Sequence, residues 1–438
     1  MKSSPSIRHR RLIKVTSAKW QRRAIFLCGG LAIGVAAIGL AFMADQVQEA
    51  FARLLAKWHY ASLLVTPAGF MLSVFLTNRY FQNAQGSGIP QAIAARQLTD
   101  LAARGRLVSI RIAIGKILMT LLGLLCGASA GREGPTVQVG ASIMFAAGRM
   151  SPRRQPGLIL AGAAAGVAAA FNTPLAGIVF GIEEMSRTFE VRTSGLIIAA
   201  VIAAGLTSLG LVGNYSYFGT SPTMLQHGTD WIAVPICGVI GGLAGGLFSR
   251  IVITMAQGLS GPMGRTIKRH AIVFAGVCGL GVALCGLASD NTIFGTGYLQ
   301  VKGALESGAP LPESFGILKF VATTLSAISG IPGGIFSPSL AVGAGLGLNV
   351  AHLFPSAPLA AIILLGMVSY FAGVVQAPIT AFVIVTEMTE NHAMVVPLMA
   401  ASMIAYATSR LVCSEGIYHA LAKGYLANRP DSAPLRVV

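Results

Sequence analysis

The chain has 438 residues, 54% of them hydrophobic and 11% charged, with 53 glycines and a formal net charge of +17. So apolar and glycine-rich a composition excludes a soluble multidomain enzyme and reads as a polytopic membrane protein. The charge suits nucleic acid by its sign, but eight Lys/Arg and no acid fall within residues 1–23, directly before the first apolar run. That is the placement of an N-terminus held in the cytoplasm, so the expected location is the inner (plasma) membrane, with multiple passes and an uncleaved start.

At about 20 residues per crossing, full spans are expected at Ala24–Ala44, Leu107–Ala130, Ser194–Val212, Trp231–Met255, Ala271–Ala288, Ala357–Val375 and Met394–Thr408. Between the first of these and a further span at Tyr60–Thr77, residues Asp45–Lys57 read as a separate surface helix. Shorter runs interrupted by glycine and proline lie between the long ones. Broken helices survive at membrane depth only where protein or a watery cavity satisfies their backbone.

Two such interruptions stand out. Gly86-Ser87-Gly88-Ile89-Pro90 precedes the helical stretch Gln91–Leu101, and Gly131-Arg132-Glu133-Gly134-Pro135 lies between the apolar runs Ile117–Ala130 and Thr136–Gly148. Glycine lets backbone approach a ligand, and proline suits a first helical turn, where its missing N–H costs nothing. Each stretch therefore predicts a helix start with free N–H groups and a positive dipole end, an anion site made without a fixed cation. Glu133 is the sole acid between Asp100 and Glu183. An ionisable group in such surroundings is a functional residue by default. The role expected for Arg132 is pairing with backbone or a carboxylate away from the path.

An internal repeat ties these stretches together. At an offset of 203 residues, Gly131-x-x-x-Pro135 falls on Gly334-x-x-x-Pro338, and Val139-Gly140-Ala141 falls on Val342-Gly343-Ala344. With one residue of slip, Asn172-x-Pro174 matches Gln376-x-Pro378, and Glu183 matches Glu387. Earlier, Gly86-Ser87-Gly88 matches Gly295-Thr296-Gly297. Paired halves with interrupted segments in corresponding places predict a transporter whose site lies at the repeat interface near the midplane. The halves differ in two carboxylates: Glu133 aligns with Phe336, and Glu184 with Met388. Glu183 and Glu387 read as shared structural groups, and Glu133 and Glu184 as additions. The expected division is a basic segment 1–23, repeats at 24–213 and 214–413, a pathway-lining helix at 414–427 and a polar tail at 428–438.

The remaining features are assigned to packing. Gly162-x-x-x-Gly166, Gly238-x-x-x-Gly242 and Gly343-x-x-x-Gly347 are expected at close helix contacts. Gly241–Gly246 lacks the preceding strand of a nucleotide loop. The six cysteines, without metal or redox spacing, read as small core hydrophobes. No metal or cofactor is expected.

The three segments GSGIP (Gly86–Pro90), GREGP (Gly131–Pro135) and GIFSP (Gly334–Pro338), in this order and within a repeat, resemble the signature of the CLC family of chloride channels and chloride/proton antiporters. The similarity runs from about Tyr60 to about Leu426. It implies an all-α fold of two inverted-topology repeats with broken helices meeting at a midplane anion site, and a homodimer with one pathway per subunit. It implies that the hydroxyls of Ser87 and Tyr418 hold chloride together with the backbone N–H groups near Ile335 and Phe336, with Tyr425 as the alternative tyrosine. Glu133 would be the gating and outer proton glutamate, and Glu184 the inner one. Ser337, where many relatives have alanine, is expected to matter little. Gly86, Gly88, Gly131, Gly134 and Gly334 would supply the backbone of the anion site.

The expected function is exchange of chloride for protons across the membrane, with a passive chloride channel of the same family as the alternative. A remote alternative is an intramembrane serine protease, for which Gly127-Ala128-Ser129 offers a nucleophile but no histidine in a span offers a base. Transport, and not an enzyme reaction, is the expected activity.

Overall fold

The structure, a computed structural model, describes residues 5–186, 191–213, 215–226 and 228–427; the expected polar tail lies outside them. The regular elements among these residues are helices. The first half contains α1 (Pro5–Lys57), α2 (Ser62–Tyr80), α3 (Ile89–Gln97), α4 (Leu101–Leu107) and α5 (Ile110–Leu125). It continues with α6 (Glu133–Ala147), α7 (Gln155–Phe171), α8 (Pro174–Phe180), a π-helical turn at Gly181–Ser186, and α9 (Val191–Val212). The second half opens with α10 (Ala233–Gln257), α11 (Pro262–Arg269), α12 (Ala271–Ala288), α13 (Tyr298–Glu306) and α14 (Phe315–Ile328). It closes with α15 (Phe336–Ala351), α16 (Leu359–Val375), α17 (Pro378–Thr389), α18 (Val395–Val412) and α19 (Ile417–Ala427). Six helices among the described residues are long and apolar enough to cross a membrane.

Three boundaries differ from the sequence expectation. The first span and the supposed surface helix Asp45–Lys57 form one continuous helix, α1, because residues 45–57 hold neither glycine nor proline and Asp45 is fixed by Arg132. The expected span Leu107–Ala130 is broken near its start, where Ser109 caps α5 by accepting from the Ile112 N–H. Asp100 caps α4 in the same way, through the N–H groups of Ala102 and Ala103. The C-terminal helix begins at Ile417, after the bend at Ser414–Gly416.

The interrupted elements are built alike in both halves. Asn172 ends α7 with φ 56°, and Gln376 ends α16 with φ 59°, each two residues before the proline that opens the next helix. The left-handed turn lets the side-chain amides bond outward: Asn172 Nδ2 donates to Tyr215 O (2.8 Å) and Gln376 Nε2 to Cys413 O (2.7 Å). These are the backbone breaks that a membrane interior tolerates once their polar groups are satisfied.

Glycine sets the spacing of the core. The Cα of Gly140 lies against the carbonyl of Gly162, and that of Gly343 against the carbonyl of Gly366, so α6 packs on α7 as α15 packs on α16. A β-carbon at any of these positions would overlap backbone, an overpacking that costs about 1–3 kcal/mol. Gly241 and Gly245 lie inside α10 against Ser369, Tyr370 and Gly373 of α16, so the glycine-rich run is a helix contact. Four cysteines are buried as expected, but Cys28 is exposed on α1 and Cys285 is half-buried.

Candidate functional site

Three loops meet where the starts of α3, α6 and α15 converge. Gly131 N–H donates to Gly334 O and Gly334 N–H to Gly131 O, both at 2.7 Å, joining the GREGP and GIFSP loops in a reciprocal pair. Gly86 N–H donates to Ile331 O (3.1 Å) and Gly333 N–H to Gly86 O (3.1 Å), which brings in the third loop. The glycines are needed for contact: a β-carbon on Gly134 would stand 2.6 Å from Ser87 Oγ and 3.2 Å from the Cα of Gly334. Gly88, at φ 99°, turns the chain from Ser87 into α3. α6 and α15 each begin at this junction, and α3 begins one residue beyond Gly88, so the N–H groups that no helix can satisfy are concentrated here.

Next to the junction is a small cavity of about 50 Å³. Ser87, Gly334, Ile335, Tyr418 and Ser129 are among its walls, and no lysine or arginine lines it. Ser87 Oγ and Tyr418 Oη lie near one another beside it, both buried and without a well-formed hydrogen bond to the protein. Phe336, the first residue of α15, stacks on the Tyr418 ring with centroids 6.1 Å apart and planes 16° from parallel. The two tyrosines left open by the sequence lie in different surroundings. Tyr418 lines the cavity, whereas Tyr425 sits beside Gln91. Ser129 Oγ pairs with Thr323 Oγ1 at 2.9 Å, a hydroxyl partner that activates no nucleophile.

Glu133 opens α6 and is 1% exposed. Its Oε1 accepts from Ser337 Oγ at 2.6 Å and from Tyr217 Oη at 3.4 Å. Ser337, expected to matter little, is thus the nearest hydrogen-bond donor to the carboxylate. Arg132 turns the other way, donating to Ala41 O and to Asp45 Oδ1, both at 2.6 Å. This is the pairing away from the path that the sequence predicts.

Glu183 and Glu184 are adjacent in the π-helical turn yet point to different tasks. Glu183 accepts from the N–H groups of Ile379 (3.1 Å) and Thr380 (2.6 Å), capping α17 from the other half. Glu387 does the same for α8 through Leu175 (3.0 Å) and Ala176 (2.8 Å). Glu184 has a different neighbour. It is 2% exposed, and His419 Nε2 lies 2.7 Å from its carbonyl oxygen and 3.7 Å from its Oε1.

Sequence reasoning missed four residues around this site. Lys116 Nζ donates to Gly86 O (2.8 Å), and Lys319 Nζ to Ile293 O (2.7 Å) and Gly295 O (2.8 Å), so each fully buried lysine braces the glycine loop of its own half. They stand at the offset of the repeat, which is the signal that would have found them. Tyr217 and His419 have no counterpart in the repeat, and only the folded chain brings them to Glu133 and Glu184.

The family described as voltage gated chloride channel matches residues 68–410. The chain belongs to this family. The H(+)/Cl(−) exchange transporter ClcA of Yersinia pseudotuberculosis serotype IB (strain PB1/+) is 31% identical, over 96% of this chain and 92% of the relative. The protein of the same name from Klebsiella pneumoniae (strain 342) is 30% identical, over 90% of this chain and 86% of its own length. Among solved structures, a slow cyanobacterial Cl−/H+ antiporter superposes with a TM-score of 0.78 at 25% identity, covering 94% of this chain and 99% of that one. A CLC-type fluoride/proton antiporter shares the fold, with a TM-score of 0.75 at 23% identity over 91% of this chain and 96% of that one. The all-α architecture of two inverted repeats with broken helices is therefore that of the CLC family.

Proposed function

We propose that this CLC chain exchanges chloride for protons across the membrane. The observation that carries this is a small cavity beside two buried hydroxyls, Ser87 and Tyr418, in a chain with two buried carboxylates, Glu133 and Glu184, that the repeat does not duplicate. Hydroxyls and helix-start N–H groups near Ile335 and Phe336 hold chloride without a fixed cation, so the ion binds and also leaves. Glu133, beside the same junction, competes with chloride as a carboxylate and withdraws once it takes a proton. Glu184 receives protons on the other side of Tyr418. Carboxylic acids in apolar surroundings gain from being uncharged, which makes both groups able to carry a proton. Relatives named as H(+)/Cl(−) exchangers support the exchange reading over a passive channel.

The same proposal includes the inner membrane as location, with the basic segment 1–23 in the cytoplasm and repeats at 24–213 and 214–413. It also includes a homodimer. Leu175 and Ile379, beside the Glu387 and Glu183 caps, are 63% and 50% exposed, an apolar face that a second copy can cover. Reconstitution in liposomes tests the function. An imposed chloride gradient should drive protons uphill, with both fluxes recorded together. Chloride movement with no uphill proton flux would replace the antiporter by a channel.

A further inference from the structure

We infer that His419 is the residue that passes protons between the aqueous cleft beneath the protein core and Glu184. The inference rests on the antiport reading and adds the route by which the inner carboxylate is reached. A cleft of about 630 Å³ opens between α17, α18 and α19, with Glu183, Arg410, Glu415, His419 and Lys423 among its walls. Glu184 is not among them, and its side chain is 3% exposed, against 15% for His419. The imidazole therefore lies between the cleft and the carboxylate.

The hydrogen bond fixes the ring's starting state. Nε2 is 2.7 Å from the Glu184 carbonyl oxygen, which can only accept, so Nε2 carries a proton. A proton taken from water at Nδ1 gives the imidazolium. The Nε2 proton, 3.7 Å from Glu184 Oε1, then transfers to that oxygen as the ring tilts from carbonyl to carboxylate. One proton has left the cleft, one has reached Glu184, and the ring is neutral with its proton on Nδ1. Exchange with cleft water, which takes the proton from Nδ1 and returns one to Nε2, resets the relay.

The neighbouring groups have other duties. Both Glu183 oxygens are held by the start of α17, including the Thr380 hydroxyl at 2.6 Å. Arg96 donates to Met185 O (2.9 Å) and Ser186 Oγ (3.0 Å), bracing the end of the π-helical turn. Lys423 pairs with Glu415, and Arg410 donates to Tyr406 Oη at 3.2 Å. Tyr418, next in sequence, faces the anion cavity.

The test compares the full-length protein with His419→Gln and His419→Ala in liposomes. Glutamine can still donate to the Glu184 carbonyl but cannot relay a proton, so the initial proton flux should fall about ten-fold or more. Added imidazole, which the cleft has room for, should restore much of the flux to His419→Ala. If the unmodified protein drives uphill proton flux and His419→Gln does so at the same rate, the relay is overturned while antiport stands. If both variants slow and imidazole restores neither, His419 is only a brace, and the relay is again overturned. An unmodified protein that drives no uphill proton flux overturns the antiport reading, and the relay with it.

Discussion

In the first half of the chain Glu183 reaches across to cap the helix that starts at Pro378, and in the second Glu387 caps the helix that starts at Pro174. The pairing extends to Lys116 and Lys319 under their glycine loops, and to Asn172 and Gln376 at their left-handed helix ends. At other positions the halves part. Glu184 stands where the second half has Met388, and Glu133 where it has Phe336, both pairs being buried. Ser87 opens into the cavity, while its counterpart Thr296 is held by Gln48, which accepts from its N–H at 2.9 Å and its hydroxyl at 3.3 Å. The duplicated residues hold helices together, and the unduplicated ones are the groups that would handle ions.

The sharpest way to break this comparison is to neutralise the unduplicated carboxylates. Glu133→Gln keeps the size of the side chain and removes its proton and charge. Chloride should still pass, and uphill proton flux should vanish. Glu184→Gln should abolish coupling as well, yet leave a chloride flux that still responds to outside pH through Glu133. Full coupling in either variant would remove that residue from the proton path. Paired chloride and proton recordings in liposomes make the measurement.

The duplicated carboxylates should behave in the opposite sense. Glu183→Gln and Glu387→Gln each weaken a charged cap, a loss of about 1 kcal/mol. The two should lower the thermal midpoint of the purified protein by similar amounts, whereas Glu184→Gln should leave it in place. If Glu183→Gln keeps the midpoint but abolishes coupling, the division between structural and transport carboxylates fails at that residue.

That division could be proposed from the sequence because a repeat acts as an internal control: a side chain that both halves retain reads as structural, and one that a single half adds stands out. The helix starts at Gly86–Pro90, Gly131–Pro135 and Gly334–Pro338 could be read because glycine and proline dictate backbone directly. The continuity of α1 could not, since the charges of Asp45–Lys57 mimic a surface segment until Arg132, 87 residues away, is seen to hold Asp45. His419 and Tyr217 were equally hidden. Their partners Glu184 and Glu133 lie 235 and 84 residues away in sequence, and neither residue type departs from its local pattern.

Ser337 offers the finest test, because there a residue expected to matter little and the asymmetry coincide. The repeat places it opposite Gly134, so the first half contributes the carboxylate and the second the hydroxyl that bonds it, at 2.6 Å. A short hydrogen bond to a carboxylate is worth about 1.5–3 kcal/mol while it is made. Part of that returns when Glu133 leaves, since the freed serine hydroxyl finds other acceptors. Tyr217, at 3.4 Å, is too long a contact to replace it. Ser337→Gly makes the second half match the first, and Ser337→Ala removes only the hydroxyl. With less to hold the carboxylate in place, chloride displaces it more readily, and both variants should raise chloride turnover several-fold with proton coupling retained. Equal turnover in all three proteins would mean that the hydroxyl orients Glu133 without restraining it, and the difference between Gly134 and Ser337 would then belong with the packing residues.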